Sequence, residues 1–308
     1  MATPAQNIDL NKTPSGSTLL EGTSLWKDAW QRLRKNKAAV VCGFIVLFLI
    51  IACAIGPQLL DWIFGYTFEA QDLEYGAKGP TLAPFHPFGT DFFGRDLLTR
   101  VLVGGRISLK VGLIAASVAA IVGTIYGAVS GFFGGKIDDG MMRFVDVLYA
   151  LPYMFLVIIL VTIFEKSESL LFVALGLVGW LTTARIVRGQ VLSLKEQDFI
   201  QAARSIGARS HSIIFRHLIP NTLGPVIVYF TLTVPTMILQ EAFLSFLGLG
   251  IQPPNPSLGT LMNDGANQML VYWWTIVFPG IFMSLLLFSL NFLGDGVRDA
   301  LDPKMRKG

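Results

Sequence analysis

Charged side chains are scarce in this chain, at 15% of its 308 residues, where a soluble domain carries about a quarter. The deficit argues against an ordinary water-soluble fold. Hydrophobic residues make up 53% of the chain and gather in long runs, as in a membrane protein. Histidine and cysteine are scarcer still, at three and two. His86, His211 and His217 form no ligand cluster, so no metal site is expected. Cys42 and Cys53 both lie in the first apolar run, roughly 16 Å apart along a helix, too far for a disulfide within it. They read as small apolar fillers. The net charge of +3 does not suggest a nucleic-acid partner. No catalytic residue is expected, because no nucleophile–base pair stands out. Gly135-Lys136 is a fragment of a phosphate loop whose GxxxxGK[ST] pattern is broken by Ser130 and Ile137. No cofactor is therefore expected on this chain.

What is present is six runs long enough to cross roughly 30 Å of hydrocarbon as helices. They lie near Ala38–Leu60, Leu109–Phe132, Phe144–Phe164, Leu170–Ile186, Leu223–Phe246 and Val271–Leu293. Helices are the expected spanning form, because no alternating barrel pattern appears and each backbone group must be satisfied within its own segment. The expected class is an all-α integral membrane protein with six transmembrane helices. With the N-terminus inside, the cytoplasmic segments 1–37, 132–143, 185–222 and 294–308 hold 18 basic residues, against six in the outer segments. This bias favours both termini in the cytoplasm.

Residues 1–18 are small and polar without periodicity and read as disordered. Leu25, Trp26, Ala29, Trp30 and Leu33 then recur at helical spacing, with Lys27, Arg32, Arg34, Lys35 and Lys37 between them. This is the pattern of an interfacial amphipathic helix resting on the bilayer. Ile50-Ile51-Ala52-Cys53 resembles a lipoprotein cleavage site, but a long polar stretch precedes its apolar run and five further runs follow, so the run reads as a permanent span. The expected organisation is an N-terminal tail over 1–37, a first span with a long outer loop over 38–105, a core over 106–300 and a tail over 301–308. Leu97–Arg106 could form a short helix leading into the second span. The short hairpin at Glu165–Ser169 makes spans three and four antiparallel neighbours. Pro152 and Pro235 are expected to kink their spans.

The inner segment 185–222 is far longer than a turn between two helices requires. Phe199, Ile200, Ala203 and Ile206 form an apolar stripe, with Asp198, Gln201, Arg204 and Ser205 on the remaining surface. Gly207 is free to adopt positive φ and end the helix. A second short helix is expected over about Ser210–Leu218, stopped by Pro220. An apolar stripe of this kind either docks into a partner's groove or lies on the bilayer or the chain's own inner end.

The run Gln201-Ala202-Ala203-x-x-x-Gly207, followed by His217-x-x-Pro220, resembles the EAA loop of ABC importer permeases. Phe88-Gly89-Thr90-Asp91, then Gly94-Arg95-Asp96, resembles the FGTDxxGRD signature of the peptide and nickel permeases. Phe243-Leu244-Ser245-Phe246-Leu247-Gly248-Leu249-Gly250 with Gln252-Pro253-Pro254, and the segment from Gly294 to Pro303, are similar to the same group. The resemblance runs from about Ser24 to the end and is nearest to the C-type subunits of oligopeptide importers. It implies the type I importer permease fold with cytoplasmic coupling helices, in a bacterial inner membrane. It also implies a second homologous permease, two cytoplasmic ATP-binding subunits that hold the ATP-Mg, and an extracytoplasmic peptide-binding protein. In that family the loop docks into a cleft of the ATPase. The family's glutamate is Gln201 here, so an acidic contact at that place would have to come from Asp198, one turn earlier.

The loop motif also has a direct reading. Gly89 and Gly94 permit tight turns, and Asp91, Arg95 and Asp96 could form a local charge network, either to fix the loop or to meet the binding protein. Charges within spans are costly and mark further candidates. Asp146 is placed to pair with Arg143. Glu241 either faces the translocation cavity or reaches outer water, and Asn291 could hydrogen-bond across helices. Tyr229, Thr231 and Thr233 could line a cavity. An ATP-independent secondary transporter is the competing class, but no internal repeat is visible and the inner segment would lack a purpose.

Overall fold

The computed structural model describes residues 25–163 and 168–301. The expectations for residues 1–18 and for the tail after residue 301 lie outside these residues, as does most of the hairpin at 165–169. The described residues are helical apart from loops. Their only extended pairings are isolated bridges between Thr81 and His86 and between Thr90 and Asp96. The helices are α1 (Leu25–Lys35), α2 (Lys37–Phe64), α3 (Leu97–Phe133), α4 (Gly135–Ala150), α5 (Tyr153–Ile163), α6 (Glu168–Leu194), α7 (Asp198–Ser205), α8 (Ser210–Ile213), α9 (Ile219–Phe246), α10 (Leu258–Gln268) and α11 (Trp274–Leu301).

Among the described residues, five stretches are long and apolar enough to cross a membrane: α2, α3, α6, the continuous stretch Ser210–Phe246, and α11. The remaining expected span, the third, is broken. α4 and α5 meet at 84°, and Leu151 between them is extended, at φ −80° and ψ 136°, as the residue before a proline prefers. Pro152 thus ends one helix and a new one begins at Tyr153. The expected lead-in helix Leu97–Arg106 and the second span are one helix, α3, of 37 residues, roughly 55 Å long. Asp96 caps its first turn, accepting from the Thr99 amide at 2.7 Å.

α3 is the central post, packed against α6, α9 and α2. Its approach to α6 is set by glycines four apart. A Cβ at Gly127 would lie 2.3 Å from the Ala184 carbonyl oxygen, and one at Gly123 would lie 2.7 Å from that of Trp180. Small residues at this spacing let helix backbones touch inside a membrane.

α2 buries a single seam, Ala39, Val46, Leu49, Cys53, Pro57 and Leu60, and exposes Phe44, Phe48, Ile51 and Ile55. Within the seam, Pro57 has no amide to give the carbonyl four residues back. That carbonyl, on Cys53, accepts instead from Arg106 Nε of α3 at 2.8 Å. Arg106 Nη2 also reaches the Ala54 carbonyl and Gln58 Oε1, both at 3.0 Å. α1 packs against the end of α11, and Arg34 lies over the Trp30 ring at 5.0 Å. Both cysteines are free thiols.

Apolar packing forms three cores among the described residues: one, of Ala119, Val145, Trp180, Leu181 and Ala184, lies where α3, α4 and α6 meet, and the other two are more extensive. The larger joins α2, α3, α5, α6, α9, α10 and α11 through residues such as Val111, Leu175, Ile238 and Leu286. The smaller lies at the α7 end and includes Ala128, Val187, Val191, Ile200, Ile213 and Leu218.

Candidate functional site

α7 forms where the sequence predicts a helix, but its apolar residues divide between two faces. Ile200 is fully buried in the smaller core and Ala203 is buried beside it on the helix, whereas Phe199 is 44% and Ile206 85% exposed. Phe199 and Ile200 are neighbours, about 100° apart on a helix, and cannot both serve one groove. The outward row is instead Phe199, Ala202 and Ile206, at spacings of three and four, and all three are exposed. Asp198 and Gln201 are exposed beside it. Gln201 Nε2 donates to the Glu196 carbonyl at 3.1 Å, so its amide is tied to its own turn. Asp198 occupies the first turn, where a negative charge suits the helix dipole.

The helix ends as the motif implies. Gly207 has φ of +81°, and the Ala208 amide reaches back to the Ala203 carbonyl at 3.0 Å, a Schellman-type closure. Ile206 falls just outside the helix rather than on its last turn.

Pro220 does not stop the next helix. α8 passes through a π-turn, Ile214–Leu218, straight into α9. The wider turn, closed by an Ile219 amide bond to the Ile214 carbonyl, accommodates a proline that would clash with a tight α-turn. The His217 carbonyl accepts from Asn221 Nδ2 at 2.6 Å. His217 and Pro220 thus mark the joint where the inner segment becomes the fifth span.

At the opposite end, Gly89 and Gly94 take φ of +78° and +73°, as the loop motif requires. Asp91 accepts from Arg95 Nε at 2.7 Å and from Arg100 Nη1 at 2.6 Å. Asp96 does not join this network, because it serves two other tasks. One oxygen caps α3 and the other meets His86 Nδ1 at 2.8 Å. The Thr90 hydroxyl donates to the Gly76 carbonyl at 2.8 Å and accepts from the Lys78 amide at 2.9 Å. The Thr90 carbonyl accepts from Trp274 Nε1 at 3.0 Å, fastening the loop to α11. His86 stacks on Tyr66 with ring centres 4.6 Å apart. Burial, and the nearby charge of Asp96, push the Tyr66 phenol above its ordinary range. Sequence reasoning missed Arg100, His86 and Trp274. The Asp96-x-x-Thr99 spacing was a readable cap signal.

The intramembrane candidates move as well. Glu241 faces neither cavity nor water. It is 0% exposed, and accepts from Ser108 at 2.8 Å and from Ser245 at 2.6 Å. Asn291 donates to the Leu287 carbonyl of its own helix at 2.8 Å, not across helices. Asp146 pairs with Arg185 of α6 at 2.7 Å rather than with Arg143, and Arg188 grips Asp138 with both forks, one at 2.6 Å. These two pairs hold α4 to α6. A cleft of about 530 Å³ opens at the α4–α5 elbow against α6 and α9, with Tyr229 and Thr233 on its wall. Thr231 is not among its lining residues, and its hydroxyl bonds the Val228 carbonyl at 2.8 Å.

Two family models match the chain. One, described as the binding-protein-dependent transport system inner membrane component, covers residues 119–307, and the other, the N-terminal TM domain of oligopeptide transport permease C, covers residues 24–84. The chain is 52% identical to the oligopeptide transport system permease protein OppC of Haemophilus influenzae, over 93% of this chain and 91% of that protein. It is 54% identical to the OppC protein of Salmonella typhimurium, over 93% and 94%. It is 46% identical to the dipeptide transport system permease protein DppC of Bacillus subtilis, over 92% and 87%. Among solved structures, a chain of the MetNI methionine ABC transporter in an inward facing conformation superposes with a TM-score of 0.52 at 18% identity, covering 67% of this chain and 96% of that one. That likeness is one of fold.

Proposed function

The chain belongs to the family of binding-protein-dependent transport system inner membrane components, and from that premise we propose that it is one of two permease subunits of an ATP-driven oligopeptide importer. The cargo reading draws on the oligopeptide permease proteins to which it is 52% and 54% identical. In this reading both termini and α7 are cytoplasmic, and the 65–96 loop and α10 face outward in a bacterial inner membrane. The chain does no covalent chemistry. ATP and its magnesium ion sit on two partner subunits, and a peptide-binding protein delivers cargo to the outer face.

The observation that carries the proposal is the two-faced α7. Ile200 and Ala203 brace it against the chain's own core, while Phe199, Ala202 and Ile206 stand free beside Asp198 and Gln201. A braced helix with an unpartnered apolar row can transmit a push without collapsing under it. The transmission line is short: Gly207 ends α7, and Ser210–Phe246 then runs unbroken into the bundle. Closure of the ATPases on α7 would tilt α9 and the cleft wall it carries.

The test is affinity purification of the tagged chain from its native host in mild detergent. The expected co-purifying proteins are a second permease and Walker-motif ATPases in near-equal amounts, and the Phe199→Ala, Ile206→Ala chain should lose the ATPases alone. Recovery of the chain by itself as a stable homo-oligomer would defeat the reading and favour an ATP-independent transporter.

A further inference from the structure

The cleft at the α4–α5 elbow has a feature that cavity volume alone does not convey. On α9, Tyr229, Thr233, Thr236 and Gln240 all line it, at successive spacings of four, three and four. They form one polar stripe along a membrane helix. Across the cleft stand Tyr149 and Thr182, joined hydroxyl to hydroxyl, and Tyr153, whose hydroxyl donates to Gln240 Oε1 at 2.7 Å. Among the described residues, no acidic or basic side chain lines the cleft. Beside the cleft, Asp146 and Arg185 neutralise one another at 2.7 Å, with the guanidinium lying over the Tyr149 ring at 4.0 Å.

Hydroxyls and an amide ranged along a span are out of place against lipid. The stripe therefore faces water or another polar chain. Its chemistry is specific. The hydroxyls of Thr233 and Thr236 donate to the Tyr229 and Leu232 carbonyls of their own helix at 2.7 and 3.2 Å, which leaves their lone pairs as acceptors. Gln240 spends its oxygen on Tyr153 and keeps its amide nitrogen as a donor. Acceptors and a donor in a row match the alternating N–H and C=O groups of an extended peptide. The stripe is roughly 16 Å long, the length of about five extended residues.

We infer that this stripe is a peptide main-chain binding site, and that its lack of charge lets side chains of either sign pass. The inference rests on the oligopeptide reading above and deepens it. A neutral wall gives no electrostatic preference, whereas one fixed charge at its centre would create a preference of known sign. Thr236, exposed at mid-stripe, is the place to put it.

The experiment uses the whole transporter in proteoliposomes with its binding protein. Uptake of a lysine-containing and an aspartate-containing peptide of equal length is compared. For Thr236→Asp, uptake of the acidic peptide is expected to fall about tenfold further than that of the basic one, relative to wild type, by like-charge repulsion. Equal loss for both peptides in an assembled complex with intact ATP turnover would overturn the inference. If Thr236→Asp does not assemble, the readout is Thr236→Cys in a chain carrying Cys42→Ala and Cys53→Ala. Anionic and cationic methanethiosulfonates should then label it at similar rates, and transported peptide should protect it. Absence of labelling would make the stripe a sealed helix–helix face and also overturn the inference. Failure of the oligopeptide reading is a separate result: the wild-type complex would import neither peptide, while thiol labelling would still report whether the cleft holds water.

Discussion

At the α7 end of the bundle, an apolar row stands in the open and is held from behind by two buried residues. At the other end, the 65–96 loop turns inward. Thr90 is hydrogen-bonded on three sides, Asp91 takes two guanidinium groups, and Asp96 joins His86 to the cap of α3. The two ends share one device, a glycine at positive φ, but use it oppositely. A Cβ on Gly94 would fall 1.9 Å from the Asp72 carbonyl oxygen, whereas a Cβ on Gly207 meets nothing within 4 Å. The loop end is dense because its own side chains hold a thin layer of chain together. On the proposed reading, the α7 end is open because a partner subunit covers its apolar row.

This contrast sets the expected order of mutational effects. Gly94→Ala adds backbone strain to a clash with main chain, a loss of roughly 3–5 kcal/mol. It should be visible as a collapse of monodisperse protein in detergent; a well-behaved variant would mean the loop is looser than its contacts imply. Phe199→Ala with Ile206→Ala should leave folding untouched and weaken ATPase association by about 2 kcal/mol, in the range of interface hot spots, as measured by pull-down. A loss of thermal stability in the isolated chain would show that the row packs internally after all. Gly207→Val meets nothing within 4 Å at its Cβ and bears mainly backbone strain, about 1–2 kcal/mol. It should insert normally yet fail in transport. Trp274→Phe removes one hydrogen bond to Thr90 and should cost about 1 kcal/mol, read as a small drop in melting temperature. Gln201→Glu restores the family's acidic residue on an exposed turn and should shift association by less than about 0.5 kcal/mol; a clear weakening would mark this surface as reshaped.

The spans were legible because apolar runs of that length have one use. Their ends were not, because α3 and α6 continue as helices beyond the hydrocarbon with no change of period. The break in the third span needed more than a proline count: Pro235 sits inside α9 without ending it, whereas Pro152 opens a bend of 84°. The difference lies in what surrounds each proline, which one chain's letters do not carry. Periodicity found α7 but assigned Phe199 and Ile200 to a common stripe, since the face turned inward is fixed by Val187, Val191 and Ile213, remote in sequence. Asp96 was grouped with Arg95 by adjacency, although its place three residues before Thr99 already pointed to a cap. The sequence leaves Glu241 between the translocation cavity and outer water, because its partners Ser108 and Ser245 look unremarkable in a list of serines.

The contact between Pro57 and Arg106 bears on how the chain reaches the membrane. Synthesis delivers α2 before α3. The earlier helix enters with a carbonyl that its own turn cannot satisfy, and the later one brings a guanidinium. Each is a fault in hydrocarbon by itself, and the two faults are complementary, donor to acceptor. Released singly into lipid, both spans would carry their defect exposed; released as a hairpin, neither would. Inserted together, the first two spans would enter with both groups already paired, the arginine of the second serving the carbonyl of the first.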